Sequence, residues 1–226
     1  EETYIHPSSV IDPGAEIGES VYIGPFTVIE ANVEIGNGTR IDSNVRICGG
    51  ARIGEDCHIF HGAVVSEIPQ DMKFRGEETL AVIGDRTQIR EYATVHRGTR
   101  KRKKTVVGSD CLLMAYSHIA HDSYVGNHVI TANAVQLGGH VTIDDWAYLG
   151  GMSGIHQYTH IGQHCFIGGM SRCAQDVPPY ILVAGDPPKY TGLNTVGLRR
   201  RGFAKETIIQ LKEIYKLIYR SELNIS

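Results

Sequence analysis

The sequence predicts an all-β solenoid, a parallel β-helix of hexapeptide repeats followed by a short C-terminal α-helical segment. Three observations predict it. From Ile5 onward every sixth residue is aliphatic: of the 29 positions in this phase between 5 and 173, 24 are Ile, Leu or Val. Glycine follows the aliphatic residue at eleven positions, among them Gly18, Gly54, Gly126 and Gly168. The residue four places after it is small or β-branched, as at Val21, Thr27, Val45, Cys57, Ala63, Val129 and Ser153. A period of six excludes the 3.6 of a helix and overrides the plain alternation of a hairpin. It is the signature of stacked parallel coils, in which each hexapeptide supplies one short strand and one corner. Three hexapeptides close a triangular coil of 18 residues, with the aliphatic side chain pointing inward and the small residue filling the space beside the corner.

The coil should occupy residues 1–182. Two stretches break its phase, at about 71–82 and 100–106, because Asp71, Glu77 and Lys101 fall where an inward aliphatic is due. Both should leave the coil as loops, and each has a length that keeps the phase of six. Loops carried on a rigid scaffold are common binding surfaces. The repeat ends near Val177-Pro178-Pro179, residues 183–196 read as a linker, and residues 203–220 read as a helix with Ile208, Leu211, Tyr215 and Ile218 on one stripe. A lone helix of that length is marginal in water, so it should pack on the coil or on another subunit.

Composition narrows the function classes. The 226 residues carry a net charge of −3, with 42% apolar and 21% charged residues, which argues against disorder. No run of 18 apolar residues suggests a membrane span, and the opening residues show no charged-then-apolar leader. Cys57, Cys111 and Cys165 sit at the small inward position and Cys173 at the aliphatic one. They read as buried packing residues, and reduced thiols fit a cytoplasmic protein. Arg97, Arg100, Lys101, Arg102, Lys103 and Lys104 crowd one loop, and Arg199, Arg200 and Arg201 form a second run. The first loop reads either as a solvated surface or as a docking patch for an acidic macromolecule. The acidic net charge and the absence of interleaved aromatics argue against nucleic acid.

The eleven histidines all avoid the inward positions. The 18-residue coil stacks His121 on Gly139 and Asp122 on His140, with His118 close by, so five residues gather on a patch roughly 10 Å across. A neutral imidazole near pH 7 suits a general base for a hydroxyl. A glycine N–H open to a ligand suits an oxyanion. Together they describe acyl transfer, while three histidines could instead hold zinc. His6, His58, His61, His128, His160 and His164 read as surface residues.

At IPQDMKF (68–74), TVHRGT (94–99), SHIAHD (117–122), GGHVTIDD (138–145), GIHQY (154–158), AQDVPPY (174–180) and GLNTVGLRRRGF (192–203) the chain resembles the UDP-N-acetylglucosamine 3-O-acyltransferase family that begins lipid A synthesis. The likeness runs from about residue 4 to 221. It implies a left-handed β-helix and a homotrimer with sites between subunits. It also implies transfer of a 3-hydroxyacyl group from acyl carrier protein to the glucosamine 3-hydroxyl of UDP-N-acetylglucosamine, without metal or other cofactor. It places His121 as the base and the Gly139 N–H on the oxyanion. Asp122 would orient His121, although adjacent strand residues tend to point apart. By the same resemblance Asp71 and Lys73 hold the sugar, and His96, His118, His140, His156 and Gln157 line the cleft. Asn194, Arg200 and Arg201 reach the uridine diphosphate, Gly169 leaves the acyl groove long, and the basic loop 97–104 faces acyl carrier protein. Two departures stand out. Val196 occupies a position where many members carry glutamate, and the family's C-terminal helical region usually continues further. Rival readings are a related hexapeptide N-acyltransferase, a member acting on a 3-amino sugar nucleotide, and a γ-type carbonic anhydrase. The paired zinc ligands of that last class are usually five apart, against three for His118 and His121.

Overall fold

The computed structural model describes residues 2–220. Short parallel strands stack into three sheets of eleven, nine and eight strands, which form the three faces of a triangular prism. The first strand of each is Tyr4–Ile5, Val10–Ile11 and Glu16–Ile17, so successive hexapeptides feed successive faces. Partners on neighbouring coils are 18 residues apart, as in Ile23↔Ile41 and Ile29↔Ile47. The spacing rises to 30 at Ile59↔Ile89 and to 24 at Ile89↔Leu113. The two insertions therefore add twelve and six residues without disturbing the inward phase.

Both loops are shorter than the sequence suggests. Leu80–Ile83 and Lys104–Val107 are already strands and pair with one another. Ala81 and Thr105 return to the small inward position and are fully buried, so packing recaptures the chain before the insertion has run its expected length. The core is the aliphatic column itself: Ile23, Ile41, Ile59, Ile89, Leu113 and Leu149 on one face are all fully buried. All five cysteines are free and buried, and burial pushes the Cys48, Cys111 and Cys173 thiols up to about 11 and that of Cys165 to about 12.

Most corners turn through a residue in the left-handed region. The position is held by Asp122 (φ 59°), His140 (φ 63°), Trp146 (φ 64°), Tyr158 (φ 67°) and His164 (φ 56°), among others. Non-glycine residues rarely adopt this conformation, with Asp, Asn and His the most tolerant. Corner residues thus stack outside the aliphatic core in columns one coil apart.

The stretch 183–196, expected as a linker, is structured. Ile181–Ala184 and Lys189–Leu193 form an antiparallel hairpin that extends the eleven-stranded sheet. Two helices follow, α1 (Thr195–Arg200) and α2 (Lys205–Arg220), where one was expected. Asn194 caps α1 by accepting the Gly197 N–H, a favoured use of asparagine. α2 buries Ile208 and packs Tyr215 and Leu211 on the coil's core, with the Tyr215 hydroxyl donating to the Pro179 carbonyl at 2.7 Å. Ile218, expected on the same stripe, is exposed, and Tyr219 instead stacks on Tyr190 with ring centroids 4.4 Å apart. No helix among the described residues is long and apolar enough to cross a membrane.

Candidate active site

The edge that follows the nine-stranded sheet carries His121 and Asp122. They are neighbours in sequence, and on a strand they would face opposite ways. Here they occupy a corner, and the left-handed Asp122 backbone turns its carboxylate back toward the ring. His121 Nδ1 lies 2.8 Å from Asp122 Oδ2. An ionised carboxylate only accepts, so Nδ1 carries a proton, and in the neutral ring the lone pair falls on Nε2. Nε2 has no partner among the described residues, and the side chain retains a 15% opening to solvent.

Asp122 is fully buried. Burial, the strongest influence on its acidity, pushes the carboxyl up, but hydrogen bonds from His121, Thr99 and Arg102 outweigh it and hold the group below the usual carboxylate range. The donors are the Thr99 N–H at 3.0 Å and the Arg102 N–H at 3.1 Å to Oδ1, and the Thr99 hydroxyl at 2.7 Å to Oδ2. The Arg102 guanidinium also donates to the Asp122 carbonyl at 2.9 Å.

Gly139 lies one coil on, beneath the His121 ring. A Cβ there would sit 2.6 Å from His121 Cε1, so only glycine leaves space for the imidazole. Its N–H finds no acceptor among the described residues. His140 is buried, stacks flat on Tyr158 with centroids 4.6 Å apart, and meets His121 edge-on at 5.3 Å. Burial lowers the His140 pKa. One coil earlier, His118 accepts or donates at 2.7 Å with the Thr94 hydroxyl and packs edge-on against His96. Burial, reinforced by His96 and His121, holds His118 down to about 4, and burial likewise lowers His96. The neighbours of His121 are thus neutral imidazoles at pH 7.

A cavity of about 500 Å³ opens at this edge between the two insertion loops, lined by Asp71, Lys73, Thr99, Lys101, His140 and Tyr158 among others. Lys101 crosses it to donate to the Tyr158 hydroxyl at 3.1 Å. A second hollow of about 550 Å³ runs from Gly139 past the exposed His156 and Gln157. His121, Asp122 and His140 place one ligand atom each within 4.8 Å. That trio is not the three histidines of a zinc site, and the carboxylate oxygens are already occupied by the hydrogen bonds above.

The edge after the eight-stranded sheet is built differently. His164, expected on the surface, is buried between Trp146 and Tyr180 and edge-on to Phe203. Arg201 reaches in from the residue that ends α1, donating to His164 Nδ1 at 3.3 Å and to the Trp146 carbonyl at 3.0 Å. The buried Asn194 amide donates to the His164 carbonyl. Trp146, Asn194 and Arg201, with Arg200 and Val196, line a cavity of about 750 Å³ that Tyr148, Phe166 and Leu182 also border. Gly169 stands on the third edge, where a Cβ would approach the Gly151 carbonyl to 3.2 Å.

With this geometry in place, comparison with known proteins decides the family. Residues 176–226 match the model described as UDP N-acetylglucosamine O-acyltransferase, domain 2, and residues 104–139 match six bacterial transferase hexapeptide repeats. Residues 2–107 match the GMPPB C-terminal domain. The acyl-[acyl-carrier-protein]–UDP-N-acetylglucosamine O-acyltransferase of Burkholderia lata is 50% identical over 223 residues, 98% of this chain and 85% of that protein. Its namesake in Ectopseudomonas mendocina is 51% identical over 222 residues, 98% of this chain and 86% of that protein. The chain belongs to the UDP-N-acetylglucosamine O-acyltransferase family. The solved enzyme of this name from Francisella novicida superposes with a TM-score of 0.96 at 41% identity, covering 98% of this chain and 82% of that one. LpxA from Acinetobacter baumannii superposes at 0.95 with 46% identity, covering 97% and 86%. The coil is accordingly the left-handed parallel β-helix of the acyltransferases, and the carbonic anhydrase reading is set aside.

Among the residues expected to form the acyltransferase site, His121, Asp122, Gly139, His140, Asp71 and Lys73 gather at one edge, with His118 three residues before His121, His96 one coil earlier and His156 and Gln157 further along. Asn194, Arg200 and Arg201 lie at a second edge and Gly169 at a third. Thr99, Tyr158 and Trp146 escaped the sequence reading. Thr99 and Tyr158 sit inside the quoted motifs TVHRGT and GIHQY, and their membership of those motifs was the available signal. Arg97, read as part of an outward basic loop, turns inward instead and donates to the Gly49 carbonyl at 2.7 Å, while Arg102 stays exposed with its guanidinium on the Asp122 carbonyl.

Proposed function

We propose that this chain transfers a 3-hydroxyacyl group from acyl carrier protein to the glucosamine 3-hydroxyl of UDP-N-acetylglucosamine, with His121 as general base, in the reaction that begins lipid A synthesis. The observation that carries the mechanism is the pair of His121 contacts: Nδ1 on a buried, ionised Asp122, and an unpartnered Nε2 beside an unpartnered Gly139 N–H. Nε2 takes the hydroxyl proton as the sugar oxygen attacks the thioester carbonyl. The tetrahedral oxyanion accepts the Gly139 N–H. Collapse breaks the carbon–sulfur bond, and the imidazolium returns its proton to the leaving thiolate. Asp71 and Lys73 hold the sugar, His96, His118, His140, His156 and Gln157 shape the cleft, and Arg200 meets the diphosphate in the way guanidinium suits phosphate.

Asn194 and Arg201 act first within the chain, as a cap and as a clamp on His164, and present Arg200 to the nucleotide. These residues and His121 stand on different edges of one prism, which supports a homotrimer whose sites combine edges of neighbouring subunits. With Arg97, Lys101 and Arg102 bonded within the chain, the exposed Arg100, Lys103 and Lys104 of the basic loop 97–104 are left to meet acidic acyl carrier protein.

The test is an acyl-transfer assay with UDP-N-acetylglucosamine and acyl carrier protein donors of graded length. Transfer of 3-hydroxyacyl chains is expected, with Gly169→Met shifting preference to shorter donors because its side chain would fill the space above the Gly151 carbonyl. No transfer to this acceptor would overturn the reading, and an unchanged donor profile in the variant would remove Gly169 from the acyl path.

A further inference from the structure

The second insertion loop is built around Asp122. Gly98 donates to the Leu80 carbonyl at 3.0 Å, and the Lys103 N–H closes the loop on the Thr99 carbonyl at 2.7 Å. Within this closed turn Thr99 is buried, and its hydroxyl oxygen accepts the Lys101 N–H at 3.3 Å. With that contact made, the hydroxyl proton is directed at Asp122 Oδ2, 2.7 Å away, the same oxygen that receives His121 Nδ1. The other carboxylate oxygen is fixed by the Thr99 and Arg102 main-chain N–H groups.

We infer that Thr99 is a positioning residue for the general base, the third member of a His121–Asp122–Thr99 hydrogen-bond chain. The loop's role at this edge is thus to fix the carboxylate, and its charge is incidental to that role. The inference rests on the proposed role of His121. The Thr99 hydroxyl does two things. It fixes the carboxylate plane, and so the ring, in one orientation. It also draws charge from Oδ2, which moderates the hold of that oxygen on an imidazolium. The other charged or titratable groups facing the pair are His96, His118, His140, Lys101 and Arg102, and the substitution below changes none of them.

The experiment compares Thr99→Val, Thr99→Ser and His121→Ala by kcat, by KM for both substrates, by the pH profile of kcat/KM and by thermal melting. Thr99→Val is expected to lower kcat about 10- to 100-fold, the size of a hydrogen bond to a charged group, with both KM values little changed. Its acid limb should move to higher pH, because Oδ2 without the hydroxyl binds the imidazolium more strongly. Thr99→Ser should restore both rate and limb. If Thr99→Val keeps wild-type kcat and pH profile while His121→Ala is inactive, the positioning role is overturned and the base assignment stands. If Thr99→Val loses rate together with a lower melting temperature and raised KM values, and serine does not rescue it, Thr99 merely supports the loop and the inference falls. An active His121→Ala would overturn the base assignment, and the inference with it.

Discussion

His140 and His164 occupy the same left-handed corner position, each buried and each stacked on a tyrosine one coil further along. Burial lowers the pKa of both. Their surroundings then diverge. At the His140 edge the buried carboxylate of Asp122 accepts, His121 is left with a free Nε2, and two insertion loops stand apart around an open cavity. At the His164 edge the Arg201 guanidinium donates into Nδ1, Phe203 packs edge-on against the ring, and Asn194 holds the His164 carbonyl. The same backbone site therefore lies beside the proposed base His121 at one edge and under packed residues at the other. The sign of the neighbouring group, acceptor or donor, makes the difference, because an imidazole nitrogen that already accepts from arginine has no lone pair left to act as a base.

The largest expected effect breaks this comparison outright. His121→Ala should lower kcat about 10²–10⁴-fold, the usual worth of a general base, without loss of fold. His164→Ala should keep kcat within roughly threefold and instead lower the melting temperature. Steady-state kinetics and thermal melting on both variants check this, and a His164 variant as inactive as the His121 variant would erase the distinction between the edges.

A smaller effect separates two adjacent arginines at the second edge. Arg200 is exposed and has no side-chain partner among the described residues, so Arg200→Ala should raise KM for the sugar nucleotide by about tenfold, the value of a charge-assisted contact, with no change in melting. Arg201 is spent on His164 and Trp146, so Arg201→Ala should lower the melting temperature as well. Equal melting temperatures for the two would mean that Arg201 does not clamp that edge.

The smallest effect concerns pH. His118 sits at about 4 against an ordinary 6.5, so between those values the unfolded chain binds a proton that the folded chain does not. Stability is then complete above about pH 6.5 and falls as pH drops toward 4, losing more the further down that window it goes. His118→Asn should flatten that part of the melting-versus-pH curve. An unchanged slope would assign the acid loss to His96, His140 or His164, which are shifted the same way.

Much of this molecule is legible in one dimension. The six-residue period determined the fold, the inward column from Ile5 to Ile167, and the 18-residue stacking that puts His121 against Gly139, because a coil of fixed circumference converts sequence spacing directly into spatial neighbours. The number of residues each insertion adds was legible for the same reason, though not where each loop rejoins the coil. Only the tertiary structure decided the rest. A period says which residues point inward but nothing about the sign of φ at a corner, so it could not show that Asp122 turns back onto the preceding ring. Nor could it show that Thr99, 23 residues away, closes on that carboxylate, since an insertion loop leaves the register that makes coil neighbours predictable. His164 was misread as surface because its cover comes from residues 201 and 203, beyond the repeat. Outward positions on a solenoid are buried only by what the chain does after it leaves the coil, and no periodicity within the coil records that.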